Sequence, residues 1–436
     1  MIEMKKKISA VLALIICGAM LASCTSDNAD SASVQDETNA AALTDSAETA
    51  VVEPEVFIDT EVDPNVPFDL AAGVTDKMYA RALLSDGDPD RLANAMRKAQ
   101  NGEEITVGVI GGSITQGSLA SSPDTCYAGL FRSWWVNKFP GAKVNFVNAG
   151  IGGTNSYLGV HRVDEQLLAY DPDVVIVEFS VNDSDKVMNK YSYDSLVRKI
   201  LGHSSDPAVM LLFTTQDNGT SLQETHREIG AAYHLPMISY REAVYPEVAA
   251  GTLKWTDISP DNIHPNDVGH DIIGQLLSRY LDGVYDKLDS IPDAGSPLFT
   301  DEPVTSDYYV NAKMYSAADI TATSSEGFEV IENGFYSQFP NNWKTESGGS
   351  LTFDVECRNF GVFYMRTTNG QSGMYQVFVD GEAKGRLDGN FPGGWGNYGE
   401  TQQIILGNDV QSHTIEIKPM AGNEDKGITI IGLMIS

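Results

Sequence analysis

Basic residues are scarce in this chain. Its 436 residues hold 29 Lys and Arg against 60 Asp and Glu, a formal net charge of −31. That balance repels phosphate backbones, so it disfavours nucleic acid as a partner. Cysteine is scarcer still, with four in all, and Cys126 and Cys357 stand far apart without Cys-x-x-Cys spacing. Neither a zinc site nor a redox motif is supported. His161, His203, His226, His234, His270 and His413 are scattered without metal-ligand pairing and read as surface or packing residues. No metal and no cofactor is expected. The glycine loop at Gly111-Gly112-Ser113 is not followed by Gly-Lys-Ser/Thr, which argues against a P-loop. It also lacks a Gly-x-Ser-x-Gly elbow, because Thr115 occupies the last position, which argues against an α/β-hydrolase.

Long apolar runs are also missing. The longest near the start, Ile8 to Met20, follows Lys5-Lys6-Lys7 and is too short for a comfortable membrane span. A charged head before a short apolar core reads as a secretion signal. It ends in Leu21-Ala22-Ser23-Cys24, which resembles a bacterial lipobox. That resemblance implies cleavage before Cys24 and lipid on its thiol, anchoring the protein to a bacterial membrane on the side away from the cytoplasm. From Thr25 to about Asp69 the chain is Ala, Ser, Thr, Asp and Glu with no Lys or Arg. Such a composition buries too little apolar surface to offset ordering entropy, so a flexible tether is expected.

What the chain does contain is a set of polar residues in short, distinctive contexts. Ser113 stands in Val109-Ile110-Gly111-Gly112-Ser113-Ile114-Thr115-Gln116-Gly117, and His264 in Asp261-Asn262-Ile263-His264-Pro265. A serine needs a neighbouring base to become a nucleophile. Histidine is the natural base, and a carboxylate fixes its tautomer and stabilises the imidazolium. Between them lie two candidate oxyanion donors. Asn148-Ala149-Gly150-Ile151-Gly152-Gly153-Thr154 follows an apolar run, and glycines there let an N–H approach a developing oxyanion. Asn182, in Ser180-Val181-Asn182-Asp183 after the apolar run from Asp173 to Phe179, supplies a neutral amide.

These four blocks, in this order, resemble the SGNH (GDSL-like) hydrolase family from near Glu104 to Leu288. The resemblance implies a carboxylic-ester hydrolase with Ser113, Asp261 and His264 as catalytic residues. It implies an oxyanion hole of the Ser113 N–H, the Gly153 N–H and the Asn182 side chain, with Gly150 or Gly152 as alternatives to Gly153. Two departures stand out. Gly112 replaces the family's usual Asp, removing an expected brace of the serine loop, and Ser180 replaces a frequent Gly.

Apolar runs at Ile105 to Ile110, Val144 to Val147, Val174 to Phe179, Val209 to Thr214 and Pro236 to Ser239 alternate with helical patterns. This predicts a parallel sheet covered on both faces, a flavodoxin-like three-layer α/β/α domain. Sites in such sheets form beyond the carboxyl ends of the strands. The expected organisation is a signal at 1–23, an acidic tether at 24–75, the hydrolase domain at 76–290, a linker at 291–305 and an all-β sandwich at 306–436. Within the last, Trp343, Trp395 and Tyr398 lie in Gly- and Asn-rich loops, and Trp395 is the candidate for stacking on a sugar ring. The arrangement resembles β-sandwich modules appended to carbohydrate esterases. The expected substrate is an acylated glycan, with acetyl as the acyl group, or another small ester. The alternatives are a lipid or acyl esterase or thioesterase, and a surface binding protein whose catalysis has decayed.

Overall fold

The computed structural model of this chain describes residues 60–293, 299, 301–332, 334 and 336–436. The expected signal, Cys24 and the tether as far as residue 59 lie outside the described residues.

Six strands form the first sheet: β1 (Leu83–Ser85), β2 (Glu104–Gly111), β3 (Lys143–Gly150), β4 (Val174–Glu178), β5 (Ala208–Phe213) and β6 (Met237–Ser239). Their spatial order is β1-β6-β5-β4-β2-β3, parallel from β3 through β6, with β1 antiparallel at the edge. The five parallel strands follow the flavodoxin-like order 2-1-3-4-5. β4 shows why the sheet is buried on both sides. Its Val174 and Ile176 enter one apolar cluster while Val175 and Val177 enter the other, as a two-residue side-chain period dictates. Helices Asp90–Gln100, Tyr127–Lys138 and Asp267–Tyr285 cover the first face; helices Ser156–Gln166, Val187–Leu201 and Gln223–Ala232 cover the second.

The chain after residue 306 forms nine antiparallel strands: β7 (Lys313–Tyr315), β8 (Ser324–Glu326), β9 (Glu329–Ile331), β10 (Asn342–Thr345), β11 (Ser350–Arg366), β12 (Met374–Val379), β13 (Glu382–Asp388), β14 (Tyr398–Pro419) and β15 (Ile428–Ile435). The main order is β13-β12-β14-β11-β15-β10-β9, with β7 on β15 and β8 on β11. β11 is one continuous strand that stays paired with β14 across irregularities near Cys357 and Phe360. Asp380 and Gly381 connect β12 to β13 with φ of 53° and 83°, a two-residue turn whose positive dihedrals match the strand twist.

The two regions share a core. The first half of β11 alternates buried and exposed residues, but Phe360 to Met365 are all buried. Val362 and Tyr364 face the interior of the β region, while Phe363 and Met365 join Ile431, Met434 and Tyr309 in the apolar cluster containing Tyr157 and Val177. Gly361 lies so close against the Tyr157 hydroxyl that a Cβ would not fit. The second sheet therefore buries one face on the helices of the first region.

Two expectations are corrected. The tether was expected to run to residue 75, yet residues 60–75 lie along the domain of the first sheet. Phe68 donates its N–H to Thr252 O at 3.0 Å and packs on the core, and Arg81 donates to Thr60 O. One aromatic anchor outweighs the acidic composition around it. Trp343 does not stand in a loop: it is buried in β10 against Phe353, ring centroids 5.2 Å apart.

The shared core sets an expected outcome for truncation. Ending the chain after Asp301 would expose Tyr157, Val163 and their neighbours on the second helical face. Apolar burial stabilises by ~25 cal/mol per Å², so exposing these side chains is destabilising. The truncated protein should lose cooperative thermal unfolding by circular dichroism. A soluble fragment with the melting temperature of the full chain would contradict the shared core.

Candidate active site

The polar residues singled out above converge beyond the carboxyl ends of β2, β3 and β4, where the strand order reverses. Ser113 is the first residue of a four-residue helix that ends at Gly117 in a left-handed conformation (φ 96°). Its Oγ lies 2.8 Å from His264 Nε2, and His264 Nδ1 lies 2.8 Å from Asp261 Oδ2. The three-residue spacing lets Asp261 serve its own loop as well, since Oδ1 accepts the backbone N–H of Ile263 and His264 at 2.8 and 2.7 Å. Burial pushes the Asp261 carboxyl up, but the donations from the His264 ring and from the two backbone groups outweigh it and hold the carboxyl below the usual range. An ionised Asp261 only accepts, so Nδ1 carries the imidazole proton and Nε2 is left to accept from Ser113.

The His264 loop is braced from beneath. Ser259 Oγ is placed 2.8 Å from Asp261 O and 2.7 Å from His264 O, and Trp255 Nε1 donates to Asp261 O at 2.6 Å. Asn266 then caps the helix Asp267–Tyr285 through Val268 and Gly269 N–H.

Of the three glycines left open for the oxyanion hole, two have occupied N–H groups. Gly150 donates to Asn148 Oδ1 at 2.9 Å and Gly152 to Gln116 Oε1 at 2.8 Å. Gly153, with φ of 72°, has no acceptor for its N–H among the described residues. Gly152 lies against Ser113, a built Cβ being 3.6 Å from Ser113 Cβ. On the other side, the Asn182 amide sits where a Gly112 side chain would be, with Oδ1 buried and unpartnered. The Ser113 N–H belongs to a first helical turn and has no intrahelical acceptor. Three donors thus flank the serine: its own N–H, that of Gly153 and the Asn182 amide.

Gly112 leaves out the brace expected of an aspartate, and other residues supply it. Arg162, fully buried, donates to Ala149 O at 2.6 Å and to Gly111 O at 3.1 Å, joining the ends of β2 and β3. Gln116 ties the serine helix to the glycine loop through Gly152. Ser180, the second departure, accepts the Thr214 N–H on its Oγ at 2.7 Å, so its hydroxyl fastens β4 to β5. Sequence reading missed Arg162 and Gln116. Both sit within or near the quoted blocks, but nothing in an isolated arginine or glutamine marks a loop brace.

The last predicted residue arrives from the β region. Trp395 is 65% exposed and stacks on Tyr398, with centroids 5.1 Å apart and an angle of 29°. Its Cη2 lies 3.7 Å from a Cβ built on Gly153. The loop that carries it therefore overhangs the glycine loop beside Ser113.

Comparisons with known proteins point to ester hydrolases. The GDSL-like lipase/acylhydrolase family matches residues 109–272. Crystal structures of a two-domain esterase active on acetylated mannans, one co-crystallized with mannopentaose, share 33% identity with this chain. They superpose with TM-scores of 0.75 and 0.76, cover 82% of this chain, and have 97% and 98% of their own length covered. An Escherichia coli (strain K12) protein named thioesterase 1/protease 1/lysophospholipase L1 is 23% identical over 185 residues, 40% of this chain and 83% of its own.

The tight approach of Gly112 to Asn182 gives a discriminating substitution. Gly112→Ala should push the Asn182 amide out of place, lowering kcat for 4-nitrophenyl acetate ~10²–10³-fold, the usual loss for one oxyanion donor. KM should change little. An unchanged kcat would mean that Asn182 does not serve the oxyanion.

Proposed function

Since the chain belongs to the GDSL-like lipase/acylhydrolase family and is a carboxylic-ester hydrolase, we propose that it removes O-acetyl groups from a carbohydrate outside the cytoplasm. Ser113 Oγ attacks the ester carbonyl while His264 Nε2 takes its proton, and Asp261 stabilises the imidazolium that forms. The N–H of Ser113, the N–H of Gly153 and the Asn182 amide hold the negative oxygen. Collapse expels the sugar oxygen, to which His264 gives the proton so that it leaves as a hydroxyl, and leaves Ser113 acetylated. Water then attacks the acetyl carbonyl with His264 again as base, releasing acetate.

The sugar rests on one observation: an exposed tryptophan of the β region overhangs the loop beside the nucleophile. An indole face there can stack on a pyranose ring whose acetyl group reaches Ser113. The similarity along both regions to an esterase active on acetylated mannans supports the same reading. Surface location is part of the proposal and rests on residues 1–24, where the charged head, short apolar core and Leu21-Ala22-Ser23-Cys24 would give a lipidated Cys24 and a membrane anchor. A thioesterase or lipid esterase is the second reading, favoured by the Escherichia coli relative. The unbroken Ser113–His264–Asp261 relay speaks against a decayed binding protein.

Two measurements test the proposal. Ser113→Ala should reduce 4-nitrophenyl acetate hydrolysis to background, and the wild type should prefer acetyl over octanoyl esters. The reverse chain-length preference would hand the site to lipid substrates. Trp395→Ala should lower kcat/KM on acetylated mannan ~5–30-fold yet barely alter 4-nitrophenyl acetate hydrolysis, because remote binding energy shows on the large substrate. Its melting temperature should hold, since an exposed ring contributes little to the core. Equal losses on both substrates would remove the stacking role.

A further inference from the structure

One buried charge has no part in the chemistry above. Glu178 ends β4 with no exposed surface, and no ion pair forms to it among the described residues. Taking a carboxylate out of water without a cation is costly, so such groups are kept for a reason. Burial pushes this carboxyl up to about 7, against the opposing donations of the Thr214 and Thr115 hydroxyls and the Ser180 N–H. Its neighbours are polar on both sides. Thr115 Oγ1 donates to Oε2 at 3.0 Å, and Thr214 Oγ1 donates to Oε1 at 2.7 Å.

Those two threonines belong to different halves of the site. Thr115 lies two residues after Ser113 in the same short helix, and the Tyr127 hydroxyl, 2.7 Å from Thr115 Oγ1, completes a relay of donors running toward Glu178. Gly111 leaves the room that Thr115 Oγ1 occupies, since a Cβ there would collide with it. Thr214 is bonded through its N–H to the Ser180 hydroxyl, two residues before Asn182. Glu178 also begins that segment covalently, through Phe179, whose carbonyl accepts the N–H of Asn182 at 3.0 Å.

We propose that Glu178 is a positioning residue for ester hydrolysis, its two oxygens holding the serine helix and the Asn182 loop in fixed register. One oxygen fixes Thr115 and with it the direction of Ser113. The other fixes Thr214 and Ser180, and with them Asn182. A rigid acceptor between the two keeps nucleophile and oxyanion donor at the separation the tetrahedral intermediate needs. A shift of about 1 Å in such a pair can cost ~10²-fold in rate. An apolar side chain would fill the space but give neither threonine an acceptor.

This inference rests on the assignment of Ser113 and Asn182 above, and the full chain can separate the two. With 4-nitrophenyl acetate, Glu178→Gln keeps the shape but turns one acceptor into a donor. The expected result is a 10- to 100-fold fall in kcat with KM within twofold. Thr115→Val should reproduce the fall, and Thr115→Ser, which restores the hydroxyl, should recover most of the rate. If Glu178→Gln fails to fold, the two Thr115 variants decide. A folded Glu178→Gln or Thr115→Val enzyme with wild-type kcat overturns the proposal. So does a Thr115→Ser enzyme as slow as Thr115→Val, because packing alone would then explain the defect. Inactivity of the wild type, or full activity of Ser113→Ala, would instead bring down the assignment of the site itself.

Discussion

The site depends on how closely three loops can approach one another at the carboxyl edge of a parallel sheet. Gly112 lies directly against the Asn182 amide, and Gly152 lies against Ser113. A methyl group at position 112 would separate the serine loop from the asparagine loop. Once this approach is allowed, the remaining distances follow from the sheet. β2, β3 and β4 are neighbours in continuous parallel register, so their last residues Gly111, Gly150 and Glu178 end level with one another. The nucleophile, the glycine donor and the amide donor then start from one line.

A close approach of backbone loops leaves polar groups that must find partners. This structure meets that demand with buried side chains of unusual character for an interior. Arg162 takes the carbonyls of Ala149 and Gly111, and burial lowers its pKa to about 9. Asp183, next to Asn182, accepts from Ser156 N–H at 2.8 Å and lies 3.1 Å from His226 Nε2, so the asparagine loop is tied to the helix that follows the glycine loop. His226 itself stacks flat on Tyr193, centroids 3.5 Å apart. Where a family relative would use an aspartate at position 112, the same rigidity here is distributed over several residues reaching in from neighbouring helices.

Much of this was legible in the sequence, and the limits have physical causes. β2, β4 and β5 show as near-continuous apolar runs because both of their faces are buried. The short edge strand β1 and the helices Asp90–Gln100 and Tyr240–Ala250 escaped notice. β1 has only three half-buried residues and no alternation to read, and the Tyr240–Ala250 helix contains Pro246, a local signal against helix. Ser113, Asp261, His264 and Asn182 could be picked out because their chemistry demands particular residue types in short spacings. Gly153 was preferred on the family resemblance alone, with Gly150 and Gly152 left open, because the choice rests on which N–H groups the side chains of Asn148 and Gln116 consume. Glu178 looked like one more residue in a strand, for a buried charge carries no periodic signature.

The position of Trp395 shows how the second region is built into the first. β11 carries two kinds of residue on its second half: Val362 and Tyr364 face the β core, and Phe363 and Met365 face the hydrolase helices. After β12 and β13 the chain reaches the loop that holds Trp395, and Tyr398 at its end begins β14, paired with Arg366 at the end of β11. Arg366 donates to the Tyr398 hydroxyl at 2.9 Å and sits over the Phe391 ring at 5.1 Å, so the base of the aromatic group is fixed by the strand pair. The apolar contact that anchors β11 therefore also sets where the indole stands relative to Gly153. A sandwich joined only by a linker could carry the same aromatic loop but could not hold it at that glycine. Burying one face of the second sheet on the hydrolase places an exposed tryptophan beside Gly153.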